Sequence, residues 1–204
     1  MKNTKNLEET AKRLTLLGLN LGAFKVKPGK LVLGTPEVDL ANQVFLFHPE
    51  IRRLVITGFL QILTNLGLNQ FDVIASNSTT GISHAYGVAE ALDLPLIHVA
   101  NNRENLSGQR VLLIESFLTT HDASSLNTVN IIRKAGGICG YCLSVFSYKL
   151  SDLQKMFFGE ILYDGKNKLS EPCNVISLLD YSELLKIVAE NNLINLEKEE
   201  VLKD

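Results

Sequence analysis

The stretch RVLLIESFLTTHDASSLNTVNIIRKAGGICGYCLSVF, residues 110–146, contains the pattern that decides the fold. Its two ends, 110–116 and 138–146, are apolar runs of the length typical of buried strands. Between them, 123–137 repeats large apolar residues at helical spacing and ends in two glycines. A strand, a helix and a second strand in this order indicate two parallel strands joined by a crossover helix.

The same alternation continues on both sides of this unit. Towards the amino terminus, the patterns predict helices at 7–18, 49–66 and within 79–92, and strands at 71–76 and 94–100. The carboxyl-terminal part adds a strand and a helix before a charged tail. We therefore expect an α/β fold with a mostly parallel central sheet and helices on both faces.

Sheets of this kind bind ligands beyond the carboxyl ends of their strands. The loops that begin at Ser76, Ala100 and Ser116 are therefore the places where a functional site is expected. Before the first of these strands, Pro28-Gly29 marks a turn between two extended pieces.

Composition narrows the function classes. With 46% hydrophobic and 21% charged residues and a net charge of −2, the 204-residue chain is typical of one globular domain without a nucleic-acid footprint. No apolar run approaches the roughly 18 residues of a membrane helix, and the amino terminus lacks a signal-peptide pattern. Three cysteines favour a reducing compartment, so we expect a cytoplasmic protein.

Cys139 and Cys142 form a CxxC motif, which is found in redox and zinc sites. Here the motif lies in an apparent buried strand, where a spacing of three places the two side chains on opposite faces. A structural role is therefore expected for both cysteines.

Four segments in this order resemble orotate phosphoribosyltransferases and, more broadly, the type I phosphoribosyltransferases. FKVKPGK (24–30) is similar to the family's amino-terminal segment, and DVIASNSTTGISHAYGVAEALDLPLIHV (72–99) to its pyrophosphate loop. VLLIESFLTTHDAS (111–124) resembles the phosphoribosyl-pyrophosphate signature, and VISLLDYSELLKIVAENNLI (175–194) the closing strand and helix. The resemblance implies a single type I phosphoribosyltransferase-like domain, 1–204, with a small amino-terminal hood segment at 1–45 and a core at 46–204.

The resemblance also implies a reaction. The family transfers ribose 5-phosphate from phosphoribosyl pyrophosphate to a base, here orotate, and the Mg²⁺ ion arrives with the pyrophosphate. No metal site made by protein alone, and no other cofactor, is implied. The candidate ligand-binding residues are Lys27, Thr79, Thr80, Gly81, Arg103, Glu115, Ser116, Thr119, Thr120, His121, Asp122, Ala123 and Ser124.

Several of these residues depart from the family pattern. Glu115 keeps the first acid of the ribose-binding pair, but Ser116 replaces the second, and His121 and Asp122 occupy phosphate-loop positions where small residues are usual. Ala123 stands where serine or threonine is usual. The family's long basic lid is reduced to 101–109, where Arg103 is the one basic residue.

Asp122 allows two interpretations. It can cap the helix that follows, and its carboxylate can then fill the phosphate site itself. A carboxylate ~5 Å from a phosphate repels it by about 3 kcal/mol per unit charge at an effective dielectric of about 20.

Two other parts of the predicted site also allow two interpretations each. His121 can contact a phosphate when protonated, or lie on the surface without a partner. Thr79, Thr80 and Gly81 can form an anion nest, or cap the next helix.

The resemblance and the departures from the family pattern together leave two possible functions. The first is a protein with a degenerate site that binds a nucleotide or sugar phosphate with little or no catalysis, as a homodimer or as a heterodimer with a complete homologue. The alternative is an active phosphoribosyltransferase that makes orotidine 5′-monophosphate or a related nucleotide in pyrimidine metabolism. Neither reading involves nucleic acid or a membrane.

Overall fold

The computed structural model describes residues 2–27, 30–32, 43–68, 70–101, 105–119, 124–159, 169 and 171–191. Its helices include α1 Lys2–Asn20, α2 Pro49–Asn65, α3 Gly81–Leu92, α4 Ser124–Lys134, α5 Leu150–Phe157 and α6 Tyr181–Glu190. Its strands are β1 Lys25–Lys27, β2 Lys30–Val32, β3 Val73–Ser76, β4 Leu96–His98, β5 Arg110–Leu118, β6 Ile138–Ser147 and β7 Asn174–Asp180.

The central sheet is parallel throughout. Its five strands lie in the order β4-β3-β5-β6-β7, and every neighbouring pair is parallel. Strands β1 and β2 form a separate antiparallel pair, and the Pro28-Gly29 turn predicted between them lies outside the described residues. The predicted mostly parallel sheet is confirmed.

Helices cover both faces of the sheet, as predicted. One buried layer joins α1, α2, α3 and α6 to one face, and a second layer joins α4 and α5 to the other. The strands β3, β5 and β6 contribute apolar side chains to both layers, since successive residues of a strand point to opposite faces. This two-sided burial explains why these strands read as apolar runs rather than as alternating patterns.

The structure corrects several predicted boundaries. Strand β5 continues to Leu118, and its last residues pair with β6 through Phe117 with Phe146 and Leu118 with Ser147. Ser116 therefore lies inside the end of the strand, not at the start of a loop. The predicted strand at 94–100 is shorter, because a 3₁₀ turn begins at Val99.

The expectation that Cys139 and Cys142 point to opposite faces is wrong. Both side chains are buried in the layer that contains α4 and α5. The register shows the reason: Arg110 pairs with Ile138 and Leu112 with Tyr141, so β6 has one residue more than β5 across this interval. A β-bulge of this kind reverses the alternation of side chains beyond it and returns Cys142 to the face of Cys139.

Candidate ligand site at the carboxyl edge of the sheet

The strand order places a crevice between β3 and β5. From β3 the chain moves outward to β4, then returns to β5 on the other side of β3 and continues to β6 and β7. Reversal of the winding direction leaves a gap outside the carboxyl ends of the two strands at the reversal, which is where open α/β sheets bind ligands. The carboxyl ends of β3 and β5 are therefore the candidate site.

On the β3 side, one polar atom of each of two adjacent residues is buried without a partner among the described residues. Ser76 Oγ and Asn77 Oδ1 have no hydrogen-bond partner among the described residues, and Ser76 is 0% exposed. A buried polar atom without a partner costs about 1–3 kcal/mol. A ligand at the crevice, or water held beneath it, would satisfy these atoms.

The first turn of α3 packs directly onto this pair. A Cβ built at Gly81 would lie 2.5 Å from Ser76 Oγ and 3.1 Å from the Ile114 carbonyl oxygen. Residue 81 is therefore restricted to glycine by the close approach of the helix to β3 and β5. This contact fixes the position of the loop from Asn77 to Thr80 relative to the crevice.

A serine of this loop caps α3. Gly81 N donates to Ser78 Oγ at 2.9 Å and Ile82 N to Ser78 O at 3.0 Å, whereas Thr80, at the N-cap, makes no side-chain capping bond. The cap comes from Ser78, not from the predicted Thr79, Thr80 or Gly81. The Gly81 N–H is thus already bonded, and the anion nest stays a prediction.

On the β5 side, the two adjacent polar residues differ in charge. Glu115 is 4% exposed and Ser116 is 2% exposed, and Ser116 Oγ has no partner among the described residues. Burial raises the pKa of the Cys142 thiol well above its usual value, and the nearby carboxyl of Glu115 raises it further. Thr119 follows the strand and is half-buried, and Ser124 begins α4.

The sequence did not single out the hydroxyl groups of β6 and β7. Ser144 Oγ and Ser177 Oγ lie 2.6 Å apart, and Ser144 is opposite Glu115 in the register. Ser147 Oγ, at the end of β6, is buried and has no partner among the described residues. A polar residue at the end of an apolar strand, such as Ser147, could have pointed to this edge of the sheet, but the sequence does not show that these side chains are buried.

Four aromatic rings tie the amino-terminal part of the chain to this edge. Phe24 lies 5.7 Å from Phe45 and 6.0 Å from Phe146, and Phe117 lies 6.0 Å from Phe45 and 5.6 Å from Phe146, as distances between ring centroids. Phe117 comes directly after Ser116. The rings thus pack near the carboxyl end of β5, on the face of the sheet that α1, α2, α3 and α6 cover.

His84 lies in the first turns of α3 and is 1% exposed. Burial and, to a smaller extent, the charge of Arg52 lower its pKa to about 4. Its Nδ1 has no partner among the described residues. At neutral pH this histidine is uncharged.

The structure brings together part of the predicted set. Residues 79–81 lie at the carboxyl end of β3, and Glu115, Ser116 and Thr119 at that of β5. Lys27 is the last residue of β1. Five predicted residues lie outside the described part of the chain: Arg103, Thr120, His121, Asp122 and Ala123. The hypothesis that the Asp122 carboxylate fills the phosphate site therefore stays a prediction.

The described residues contain no group of three or more histidine, cysteine, aspartate and glutamate side chains that could hold a metal ion. In the same part of the chain, no helix is long and apolar enough to cross a membrane.

The chain is similar in sequence to orotate phosphoribosyltransferases of other organisms. No protein-family profile matches the chain. The orotate phosphoribosyltransferase of Coxiella burnetii is 33% identical over 127 residues, 57% of this chain and 60% of that protein. That of Bacillus mycoides is 30% identical over 166 residues, 75% of this chain and 72% of that protein. The chain belongs to the orotate phosphoribosyltransferase family.

Solved structures agree with this membership at the level of the fold. Leishmania donovani UMP synthase has a TM-score of 0.64 and 18% identity, and the match covers 92% of this chain and 39% of that one. Mycobacterium tuberculosis orotate phosphoribosyltransferase in complex with 5-phospho-α-D-ribosyl 1-diphosphate has a TM-score of 0.52 and 16% identity, over 88% of this chain and 92% of that one. The type I phosphoribosyltransferase fold expected from the sequence is confirmed.

Proposed function

We propose that this member of the orotate phosphoribosyltransferase family binds a nucleotide or a sugar phosphate at the carboxyl edge of β3 and β5, with little or no catalysis. One observation carries the proposal. Three buried polar atoms at the carboxyl ends of the two strands that flank the crevice, Ser76 Oγ, Asn77 Oδ1 and Ser116 Oγ, have no hydrogen-bond partner among the described residues. A ligand rich in hydroxyl and phosphoryl oxygens can satisfy them, directly or through water.

Weak catalysis follows from the charge of the same site. The resemblance assigns two acids to the ribose hydroxyls, and here the second position holds the neutral Ser116. The segment 101–109, which precedes β5, is too short for the family's basic lid. Loss of about three charged hydrogen bonds, each worth roughly 1.5–3 kcal/mol, removes about 4.5–9 kcal/mol from transition-state stabilisation. This corresponds to a factor on the order of 10³–10⁶ in rate.

The alternative, an active enzyme that forms orotidine 5′-monophosphate, is favoured by Glu115. This carboxyl group is buried at 4% exposure where the family has its first acid. Its oxygens and the neighbouring hydroxyl groups fit a Mg²⁺ ion that is carried in by phosphoribosyl pyrophosphate, since Mg²⁺ prefers oxygen ligands. The ion would neutralise charge on the leaving pyrophosphate.

Assembly is part of the same proposal. The family's lid acts across a dimer interface, so we propose a homodimer, or a heterodimer in which a complete homologue supplies the missing basic groups. Co-expression of this chain with such a homologue, followed by size exclusion, tests the second form. Separate elution of the two proteins would dismiss it.

Calorimetry with three ligands tests the binding. Phosphoribosyl pyrophosphate with Mg²⁺, ribose 5-phosphate and orotidine 5′-monophosphate are each titrated into the protein, and at least one is expected to bind. Ser116→Ala should then weaken binding about 2- to 12-fold, the range for a neutral hydrogen bond of about 0.5–1.5 kcal/mol. Thr64→Ala is the control, because it removes an exposed hydroxyl near the end of α2, away from the crevice. Equal affinity of Ser116→Ala and the wild type, or no binding of any of the three ligands, would refute the proposal.

A further inference from the structure

The three cysteines of the chain lie in one buried layer of the fold. Cys139 is 1% exposed, and Cys142 and Cys173 are both 0% exposed. All three are free thiols in the layer that contains α4 and α5. The described residues show no metal-binding group that includes them, so their proximity needs another explanation.

The register of β6 and β7 shows which thiols are neighbours. Tyr141 pairs with Asn174, and Asn174 Nδ2 donates to the Gly140 carbonyl at 3.3 Å. Cys173, directly before β7, therefore lies opposite Gly140. It is displaced by a single residue from Cys139 and by two residues from Cys142.

Strand geometry converts these displacements into distances. Neighbouring strands are about 4.8 Å apart and each residue advances about 3.3 Å. The Cα atoms of Cys139 and Cys173 are then about 5.8 Å apart, inside the disulfide range of about 4.4–6.8 Å. Cys142 and Cys173 are about 8 Å apart, so this pair cannot close without backbone movement. Cys139 and Cys142 lie on one strand with the β-bulge between them, whereas a side-chain hydrogen bond joins Cys139 to Cys173. This contact favours the Cys139–Cys173 pair.

A single arginine holds the favoured pair together. Arg133, in the last turn of α4, donates to the carbonyl oxygens of Cys139 at 2.6 Å, Pro172 at 3.0 Å and Glu171 at 2.7 Å. It thereby fixes the start of β6 against the residues that precede Cys173. A hydrogen bond between the Cys139 and Cys173 side chains raises the pKa of the Cys173 thiol, and burial raises it further. The Cys173 thiol is thus protonated at neutral pH, and its oxidation is expected to be slow.

We propose that Cys139 and Cys173 form an oxidation site at which a small-molecule disulfide creates an intramolecular disulfide, while Cys142 remains a free thiol. A thiol–disulfide exchange first joins one cysteine to half of the oxidant and releases one small thiol. Attack by the second cysteine then breaks this mixed disulfide, forms the Cys139–Cys173 bond and releases the second small thiol. Two electrons pass to the oxidant, and the two cysteine protons leave on the released thiols.

The position of Cys173 determines how the oxidant reaches the thiol and how the disulfide affects stability. Its neighbours Glu171 and Pro172 are exposed, so a local opening of this short segment brings the sulfur to solvent. The disulfide closes the chain between 139 and 173, which includes α5, and removes entropy from the unfolded state. The oxidised protein should therefore unfold at a higher temperature than the reduced protein.

Peptide mapping tests the pairing on the folded chain. The protein is incubated with oxidised glutathione, remaining thiols are blocked with N-ethylmaleimide, and tandem mass spectrometry locates the bridge and the alkylated cysteine. We expect a Cys139–Cys173 bridge and alkylation of Cys142. A Cys139–Cys142 bridge, or glutathione adducts without any bridge, would overturn the proposal.

Two variants and a melting curve make the test independent of mapping. Cys142→Ser should form the bridge as fast as the wild type, whereas Cys139→Ser should form none between the two cysteines that remain. The melting temperature of the bridged Cys142→Ser protein should exceed that of its reduced form. A bridge that lowers the melting temperature would show that the native spacing does not accommodate it, and would also overturn the proposal.

Discussion

The buried His84 makes stability depend on pH in a defined window. Its pKa is 6.5 in an ordinary environment and about 4 in the folded protein, because burial and the charge of Arg52 disfavour the imidazolium. Between these two values the unfolded chain binds a proton that the folded chain does not. Stability is therefore fully present above pH ~6.5 and falls as the pH drops towards ~4.

The size of this effect follows from the two pKa values. At pH 5 the preferential protonation of the unfolded histidine shifts the unfolding equilibrium about thirtyfold towards the unfolded chain, which corresponds to about 2 kcal/mol. At pH 7 the same contribution is only about 0.2 kcal/mol. Acidification from pH 7 to pH 5 should thus remove roughly 2 kcal/mol of unfolding free energy through His84 alone.

Urea unfolding of the wild type and of His84→Asn at both pH values measures this contribution. Asparagine keeps a polar atom near the position of Nδ1 but does not titrate. Glu183, whose pKa is raised by burial and by Asp180, contributes with the opposite sign, and it cancels because both proteins contain it. If the variant loses as much stability between pH 7 and pH 5 as the wild type, His84 is not buried and neutral, and the packing of α3 beside the crevice is wrong.

Three further predictions concern the crevice and the opposite edge of the sheet. Gly81→Ala should destabilise the protein by about 1–3 kcal/mol in urea unfolding. The control Gly140→Ala should leave stability unchanged, because a Cβ at that position meets nothing within 4 Å. Equal effects of the two substitutions would contradict the close approach of α3. Asp122→Gly should tighten the binding of ribose 5-phosphate in calorimetry if this carboxylate fills the phosphate site, and unchanged affinity would count against that hypothesis. The pKa of Asp72 is lowered to about 2, chiefly by its hydrogen bond from Arg110. This pair therefore stabilises the fold above pH ~4, and its contribution decreases as the pH falls towards ~2. Asp72→Asn should reduce the dependence of unfolding free energy on pH across that window, and an unchanged dependence would refute the assignment.

The sequence predicts the central elements because they are long or strongly periodic. Strands β5 and β6 are continuous apolar runs, and the helix between them repeats its apolar residues at helical spacing. The short helix Leu150–Phe157 was not predicted, since eight residues contain too few turns for a clear period. The bulge in β6 was missed as well, although an isolated glycine within a strand pattern, Gly140, was the available signal.

The site could be predicted in position but not in detail. The rule that parallel sheets bind ligands at their carboxyl edge predicts the region that begins at Ser116, and the resemblance assigns Glu115 to it. The sequence does not show that Ser76 Oγ, Asn77 Oδ1 and Ser147 Oγ are buried without partners among the described residues, because burial depends on how α3 and the aromatic rings pack over the strands. It also does not show that Ser78 takes up the first amide of α3, since any hydroxyl of that loop could have done so.

A single-turnover measurement tests the central claim most directly. The protein, in excess over phosphoribosyl pyrophosphate, is mixed with Mg²⁺ and saturating orotate, and orotidine 5′-monophosphate is followed with time beside the Bacillus mycoides relative as a control. Relative to an ordinary enzyme rate of about 10 s⁻¹, the account predicts a rate at or below about 10⁻² s⁻¹. Formation of orotidine 5′-monophosphate at about 1 s⁻¹ or faster would contradict it.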